Sequence, residues 1–191
     1  MPIHLLTRLL SKADILINQD GHARIAGFGF LTISDSTHTS ASDSSGVAGA
    51  ARWTSPERLN LGQFGSEDGR ATNESDCYAF GMVILEVLTG QPPFPHYSDS
   101  EVMKKVIDGE RPMRPQGPEA IWFTDDLWGM LERCWSPQPK LRPTAKVILE
   151  HLERASMSWQ LLPPTVDSFG NQVGIVKFRS TQEWFTRPCR F

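Results

Sequence analysis

The sequence lacks any apolar run approaching the roughly 18 to 20 residues that a helix needs to cross a bilayer. Its apolar start, Met1 to Leu10, is too short and too weakly flanked for a secretory signal. Cysteine is scarce: three residues, an odd number without metal-ligand spacing, give neither a disulfide framework nor a zinc site. The five histidines are scattered, and no pair of them suggests zinc. Strong charge of either sign is missing too. A net charge of -3 offers no electrostatic reason to expect a nucleic acid or a membrane as partner. No internal repeat is present, which excludes solenoids and propellers. These absences point to a reducing compartment, and the expected location is the cytoplasm.

What is there fits one ordinary domain with a tail: 191 residues, 39% hydrophobic and 21% charged. Asp14 to Asn18 and Ala23 to Ala26 are short β-prone runs around the turn-rich Gln19-Asp20-Gly21-His22, which predicts a β-hairpin. Ser34 to Ser45 holds six serines, two threonines and two aspartates among twelve residues, so it is expected to be a loop. From Ser75 to Thr89 the pattern is helical and apolar on most faces, which belongs in the middle of a domain. Gly90 stops it and Pro92-Pro93 prevents a restart. A short amphipathic helix is predicted over Glu101 to Ile107, capped by Asp99 or Ser100. Another runs from Thr124 to Trp135, with Thr124 as cap and two aspartates at its positive end. Pro137, Pro139 and Pro143 precede a last helix, Thr144 to about Ala155, with Val147, Ile148 and Leu152 on one face. Beyond Ser158 the periodicity fades. Cys77 and Cys134 fall in apolar helical patterns as small hydrophobes, and Trp53, Trp128 and Trp135 are expected in the core. The fold class is thus mainly α, with a small β-hairpin, around a buried central helix.

The stretch Asp76 to Phe94, DCYAFGMVILEVLTGQPPF, resembles the central helix of the C-lobe in tyrosine-kinase-like protein kinases. Gly49 to Leu59, GAARWTSPERL, is similar to the end of a kinase activation segment, with Ser55-Pro56-Glu57 in place of A-P-E. Cys134-Trp135, with Pro139, Leu141, Arg142 and Pro143, resembles the C-W-x-x-x-P-x-x-R-P signature of the same group. Three signals in the right order and spacing are highly specific together. The resemblance implies a protein-kinase C-lobe over residues 9–157, with the activation segment at about 27–57. An aberrant remnant, 1–8, precedes it, and a tail without readable structure, 158–191, follows.

The same resemblance assigns the degenerate positions. Ala13 to Ile17 is similar to the end of the catalytic loop and its following strand, and Gly27-Phe28-Gly29 stands where D-F-G is usual. Counting back from Ile15, Thr7-Arg8-Leu9 falls at the H-R-D triplet, Ser11 at the lysine position and Asp14 at the asparagine. Leu9 cannot take a proton or orient a hydroxyl, and Gly27 removes the carboxylate that bridges metal and phosphates. Asp14 retains an oxygen donor suited to magnesium, against which a turn-capping or solvated role is the plainer reading. Leu16 matches the residue beneath the adenine ring. Glu57 and Arg142 match a buried ion pair that ties the activation segment to the helical base, and Asp76 matches a cap on catalytic-loop amides. ATP and magnesium are therefore implied by the family alone, and no cofactor is expected for this chain.

Three readings stay open at this level. One is a pseudokinase that works, if at all, by binding another protein of unknown identity. A second is a member of an active kinase family represented by a truncated gene model, which the well-formed stretch Arg52 to Arg154, set against the aberrant first twelve residues, favours. The third is a decayed gene product without selected function.

Overall fold

The computed structural model describes residues 5–7, 15–19, 23–25, 31–33, 48–64 and 69–160. Four three-residue strands come first: β1 (Leu5–Thr7), β2 (Ile15–Ile17), β3 (Ala23–Ile25) and β4 (Leu31–Ile33). β2 and β3 form the hairpin expected from their composition, with Ile15 opposite Ile25 and Ile17 opposite Ala23. β1 and β4, not foreseen in the sequence, close a second antiparallel ladder, Leu5 opposite Ile33 and Thr7 opposite Leu31. Runs this short carry too little period-two alternation to announce a strand.

The helices follow in the order α1 (Pro56–Leu59), α2 (Leu61–Phe64), α3 (Asn73–Thr89), α4 (Asp99–Ile107), α5 (Asp125–Cys134) and α6 (Ala145–Gln160). Single 3-10 segments at Ala48–Trp53, Pro118–Trp122 and Pro139–Leu141 connect them. α3 is the central element. Its start lies at Asn73 rather than Ser75, because Thr72 and Ser75 form a reciprocal capping box. The Thr72 hydroxyl accepts from the Ser75 amide at 3.1 Å, and the Ser75 hydroxyl accepts from the Thr72 amide at 2.9 Å. Its end is where the sequence puts it: Gly90 takes φ 69°, and its amide donates to the Glu86 carbonyl at 2.8 Å. Between these caps Tyr78, Met82, Val83, Ile84 and Leu85 are buried, as a helix apolar on most faces requires.

Two other boundaries differ from expectation. α4 is capped by Ser98, not by Asp99 or Ser100, since Ser98 and Glu101 make the capping box and both candidate caps fall inside the helix. α6 continues to Gln160, past the point where the periodicity was expected to fade. Trp159 is 3% exposed, extends the buried series Ile148, Leu152, Ala155, and donates its indole N–H to the Trp122 carbonyl at 2.9 Å. α5 begins as predicted, with the Leu127 amide donating to the Thr124 hydroxyl at 3.2 Å.

The core forms where α3, α5 and α6 meet, joined by Val102 and Val106 of α4 and by Phe123. Edge-on aromatic contacts run through it: Phe123 to Trp128 at 5.9 Å and Trp128 to Trp135 at 5.6 Å. Trp128 and Trp135 are core residues as expected, and Trp53 is half-buried against the same cluster. Cys77 and Cys134 are buried free thiols, and burial pushes Cys134 up to about 12. On another side of α3, Ala79 and Val83 pack with Ile15, which attaches the β2–β3 hairpin to the central helix. Among the described residues no helix is long and apolar enough to cross a membrane.

Candidate functional site

The two ladders bracket two stretches of the chain. The chain leaves β1 at Thr7 and re-enters at Ile15 in β2; it leaves β3 at Ile25 and re-enters at Leu31 in β4. Thr7 and Leu31 are Cα partners, and so are Ile15 and Ile25. The stretches 8–14 and 26–30 therefore start and finish on the same two rungs. Leu9, Ser11 and Asp14 belong to the first stretch and Gly27 to the second, and all four lie outside the described residues. The Ser34 to Ser45 tract lies outside them as well. Leu16 is described: it faces Arg24 across the hairpin and is 57% exposed, beside Ile17 at 61%.

Arg142 is the best-defined charged group. Its side chain is fully buried, and its two terminal nitrogens donate to the two oxygens of Glu57, each at 2.7 Å. The same guanidinium donates to the Glu74 carbonyl at 3.0 Å and, through Nε, to the Ser136 carbonyl at 3.0 Å. Its carbon stands 5.1 Å from the Tyr78 ring centre, and the Arg111 guanidinium stands 5.7 Å from that ring. One side chain thus joins α1, the start of α3 and the segment after α5. Burial pushes the Glu57 carboxyl up, but the Arg142 hydrogen bonds and charge outweigh it and hold it below the usual carboxylate range. The stiff frame around Pro143, and the 3-10 turn Pro139–Leu141, aim the guanidinium. Asp76 sits half-buried in the first turn of α3, where the helix dipole favours an anion.

Two anchors went unnoticed in the sequence. Arg52 donates to Asp99 at 2.9 Å and to the carbonyls of Pro93, Phe94 and Tyr97, pinning the 3-10 turn before α1 to the loop after α3. Glu86, 4% exposed, accepts from the Trp53 indole at 3.2 Å. A signal for Glu86 did exist: it is the single charged residue between Cys77 and Leu88. A buried acid of that kind must be hydrogen-bonded. Arg52 had no such signal, because its partners are carbonyls set by tertiary structure. A groove of about 350 Å³, lined by Leu85, Pro92, Phe94, Met113 and Glu119 among others, contains none of the site residues expected from the sequence. No group of three metal-ligating side chains occurs among the described residues.

Residues 3–152 match the family model described as protein tyrosine and serine/threonine kinase. The chain is 35% identical over 141 residues to a light-sensor protein kinase of Ceratodon purpureus, covering 69% of this chain and 10% of that protein. It is 28% identical over 156 residues to the tyrosine-protein kinase Src64B of Drosophila melanogaster, covering 81% of this chain and 26% of the relative. It is 29% identical over 155 residues to mitogen-activated protein kinase kinase 2 of Arabidopsis thaliana, covering 78% and 39% respectively. The chain thus spans well under half the length of each of these relatives.

Proposed function

Because the chain belongs to the protein tyrosine and serine/threonine kinase family, we propose that it is a kinase C-lobe of tyrosine-kinase-like type that does not transfer phosphate and acts through contact with another protein. What supports this reading is residue chemistry taken with the ladder register. The two stretches that share ladder rungs hold Leu9, Ser11, Asp14 and Gly27 where the family uses a base, a lysine and two magnesium ligands. Phosphoryl transfer asks the protein mainly for positioning and charge stabilisation. One carboxylate, Asp14, does not fit a site that must hold two magnesium ions on a triphosphate. A leucine can neither accept a proton nor orient a hydroxyl. Losing a single contact worth ~4 kcal/mol slows chemistry about 10³-fold, and here several are replaced together. ATP and magnesium are the family's requirements; this donor set argues against their productive use.

The exposure of Leu16 and Ile17 supports the second half of the proposal, since adjacent exposed aliphatics on a hairpin favour being covered. A second reading, an active kinase represented by a piece of its sequence, is favoured by one observation. The Glu57–Arg142 pair and the Arg52 contacts assemble fully. Gly27 weighs against it, because adding chain on either side would not restore a carboxylate at that position. The deciding experiment incubates the purified chain with magnesium and labelled ATP. Neither autophosphorylation nor labelling of a generic protein acceptor is expected. Stoichiometric labelling that disappears in Asp14→Ala would overturn the proposal.

A further inference from the structure

On the α5–α6 face, four charged or titratable side chains share one hydrogen-bond cluster. His151 of α6 is its centre, with only 12% of its side chain exposed. Its Nδ1 lies 2.8 Å from Asp126 Oδ2 on α5, and its Nε2 lies 2.9 Å from Arg133 Nη2, also on α5. Arg154, one turn along α6, places Nη2 2.9 Å from His151 Nδ1 and 3.3 Å from Asp126 Oδ2. Asp126, Arg133 and Arg154 are the charged groups that face the ring among the described residues.

The donors decide the proton's position. A guanidinium has only N–H donors and stays charged, so toward Arg133 the ring must present a lone pair at Nε2. A carboxylate only accepts, so toward Asp126 the ring must present N–H at Nδ1. Neutral His151 with its proton on Nδ1 satisfies both of these contacts, and the Arg154 Nη2 donor, although 2.9 Å from the same nitrogen, then bonds to the Asp126 carboxylate alone, at 3.3 Å. The other neutral tautomer would accept from Arg154 at Nδ1 but would set N–H against N–H at Arg133 and lone pair against carboxylate at Asp126, so it gives up two contacts to keep one. Partial burial pushes the Asp126 carboxyl up, but the hydrogen bonds and charges of His151 and Arg154 outweigh it and hold it below the usual range. Asp126 is thus an anion throughout the range in which imidazoles ordinarily titrate.

We propose that His151 is a proton-operated clasp between α5 and α6, closed on both Asp126 and Arg133 when neutral and releasing Arg133 when it takes up a proton. Protonation fills Nε2 with a second N–H, which faces the Arg133 donors at the observed separation. The ring then keeps Asp126, now as a full ion pair, and Arg133 loses its acceptor. The helices stay joined at one end of the clasp while Arg133, already exposed, loses its tie to α6. This inference is independent of whether the chain transfers phosphate.

Double-mutant cycles on the full chain read the two arms separately. Arg133→Ala, His151→Ala and their combination are unfolded in denaturant at about pH 8 and about pH 5, either side of the ordinary imidazole range. Asp126→Asn with His151→Ala forms the second cycle. At the higher pH the Arg133–His151 coupling should favour folding by roughly two- to five-fold in the unfolding constant, as partly exposed polar pairs do. At the lower pH it should vanish or reverse, whereas the Asp126–His151 coupling should persist or grow. Nitrogen chemical shifts of the ring at the higher pH should identify Nδ1 as the protonated nitrogen. An Arg133 coupling of equal size at both pH values, or a proton found on Nε2, would overturn the proposal. Fold loss does not confound the cycle, because each variant is compared by its own measured unfolding constant.

Discussion

Removing the Arg142 guanidinium would strand a carboxylate that is 9% exposed and would leave the Glu74 and Ser136 carbonyls without their donor. Breaking a buried pair by deleting one partner typically costs ~3 to 5 kcal/mol, because the remaining charge keeps its desolvation penalty. That is a large part of the roughly 5 to 15 kcal/mol that stabilises a whole domain. Arg142→Ala and Glu57→Ala are each expected to lower the denaturation midpoint strongly or leave the chain unfolded. Replacing both with apolar residues of similar volume should recover much of the loss, since no lone charge then remains. The pair also fixes a pH dependence. The folded Glu57 carboxyl is held below its ordinary value, so its contribution is fully present above about 4.3, the ordinary Glu value. It is lost as pH falls through the lower folded value. Denaturant midpoints measured down through that acid window should fall more steeply for the parent than for Glu57→Gln. Equal slopes would mean that Glu57 is not the carboxylate responsible.

At the scale of elements, helix contacts turn on single glycines. A methyl group at Gly81 of α3 would lie 2.8 Å from the Trp135 indole nitrogen and 2.9 Å from the Cys134 Cβ. Trp135 is 1% exposed and Cys134 fully buried, and a Cβ moves only with its backbone, so α3 and α5 would have to separate. Gly129, inside α5, meets nothing within 4 Å. Intrinsic propensity favours alanine at both positions by up to ~1 kcal/mol. Overpacking at Gly81 costs about 1 to 3 kcal/mol and wins there, so Gly81→Ala should destabilise while Gly129→Ala should stabilise by ~0.5 to 1 kcal/mol. Chemical denaturation of the two variants checks both signs.

The elements also differ in how far the sequence revealed them. α3 was legible because seventeen residues without an amphipathic stripe have only one place to go. The Glu57–Arg142 pairing was anticipated only through a family motif; nothing local joins residues 85 positions apart. β1 and β4 were not legible, since each is three residues whose meaning lies in its partner. The last turn of α6 was hidden because Trp159 belongs to a helical series only if the intervening exposed Met157 and Ser158 are read as its outer face. Leu9, Ser11, Asp14 and Gly27 remain readings of sequence, framed by the rungs from which their stretches spring.

Across the whole molecule, stability should not be uniform. Helices α3, α4, α5 and α6 share one buried cluster that includes Met82, Leu127, Met130, Leu131 and Trp135, each at most 1% exposed. Opening any of them exposes apolar area of the others, so their amides should exchange only through global unfolding. The β2–β3 hairpin is attached differently. Leu16 and Ile17 face solvent, and its described apolar link to the body is Ile15 against Ala79 and Val83. A two-stranded hairpin of three-residue strands is at best marginal alone, so this contact must hold it. We expect native-state hydrogen exchange to show two classes of amide: a slow one over Met82 to Leu85 and Leu127 to Leu131, and a faster one over Ile15 to Ile17. Truncating Ile15 to alanine removes aliphatic contacts at the hairpin alone, and should speed exchange there while leaving the slow class unchanged. Truncating Met82, at the centre, costs about 2 to 5 kcal/mol and should accelerate the slow class throughout. If Ile15→Ala instead speeds Met82 to Leu85 as much as the hairpin, the ladders and the helical body unfold as one unit. The hairpin would then be part of the cooperative core rather than an appendage resting on α3.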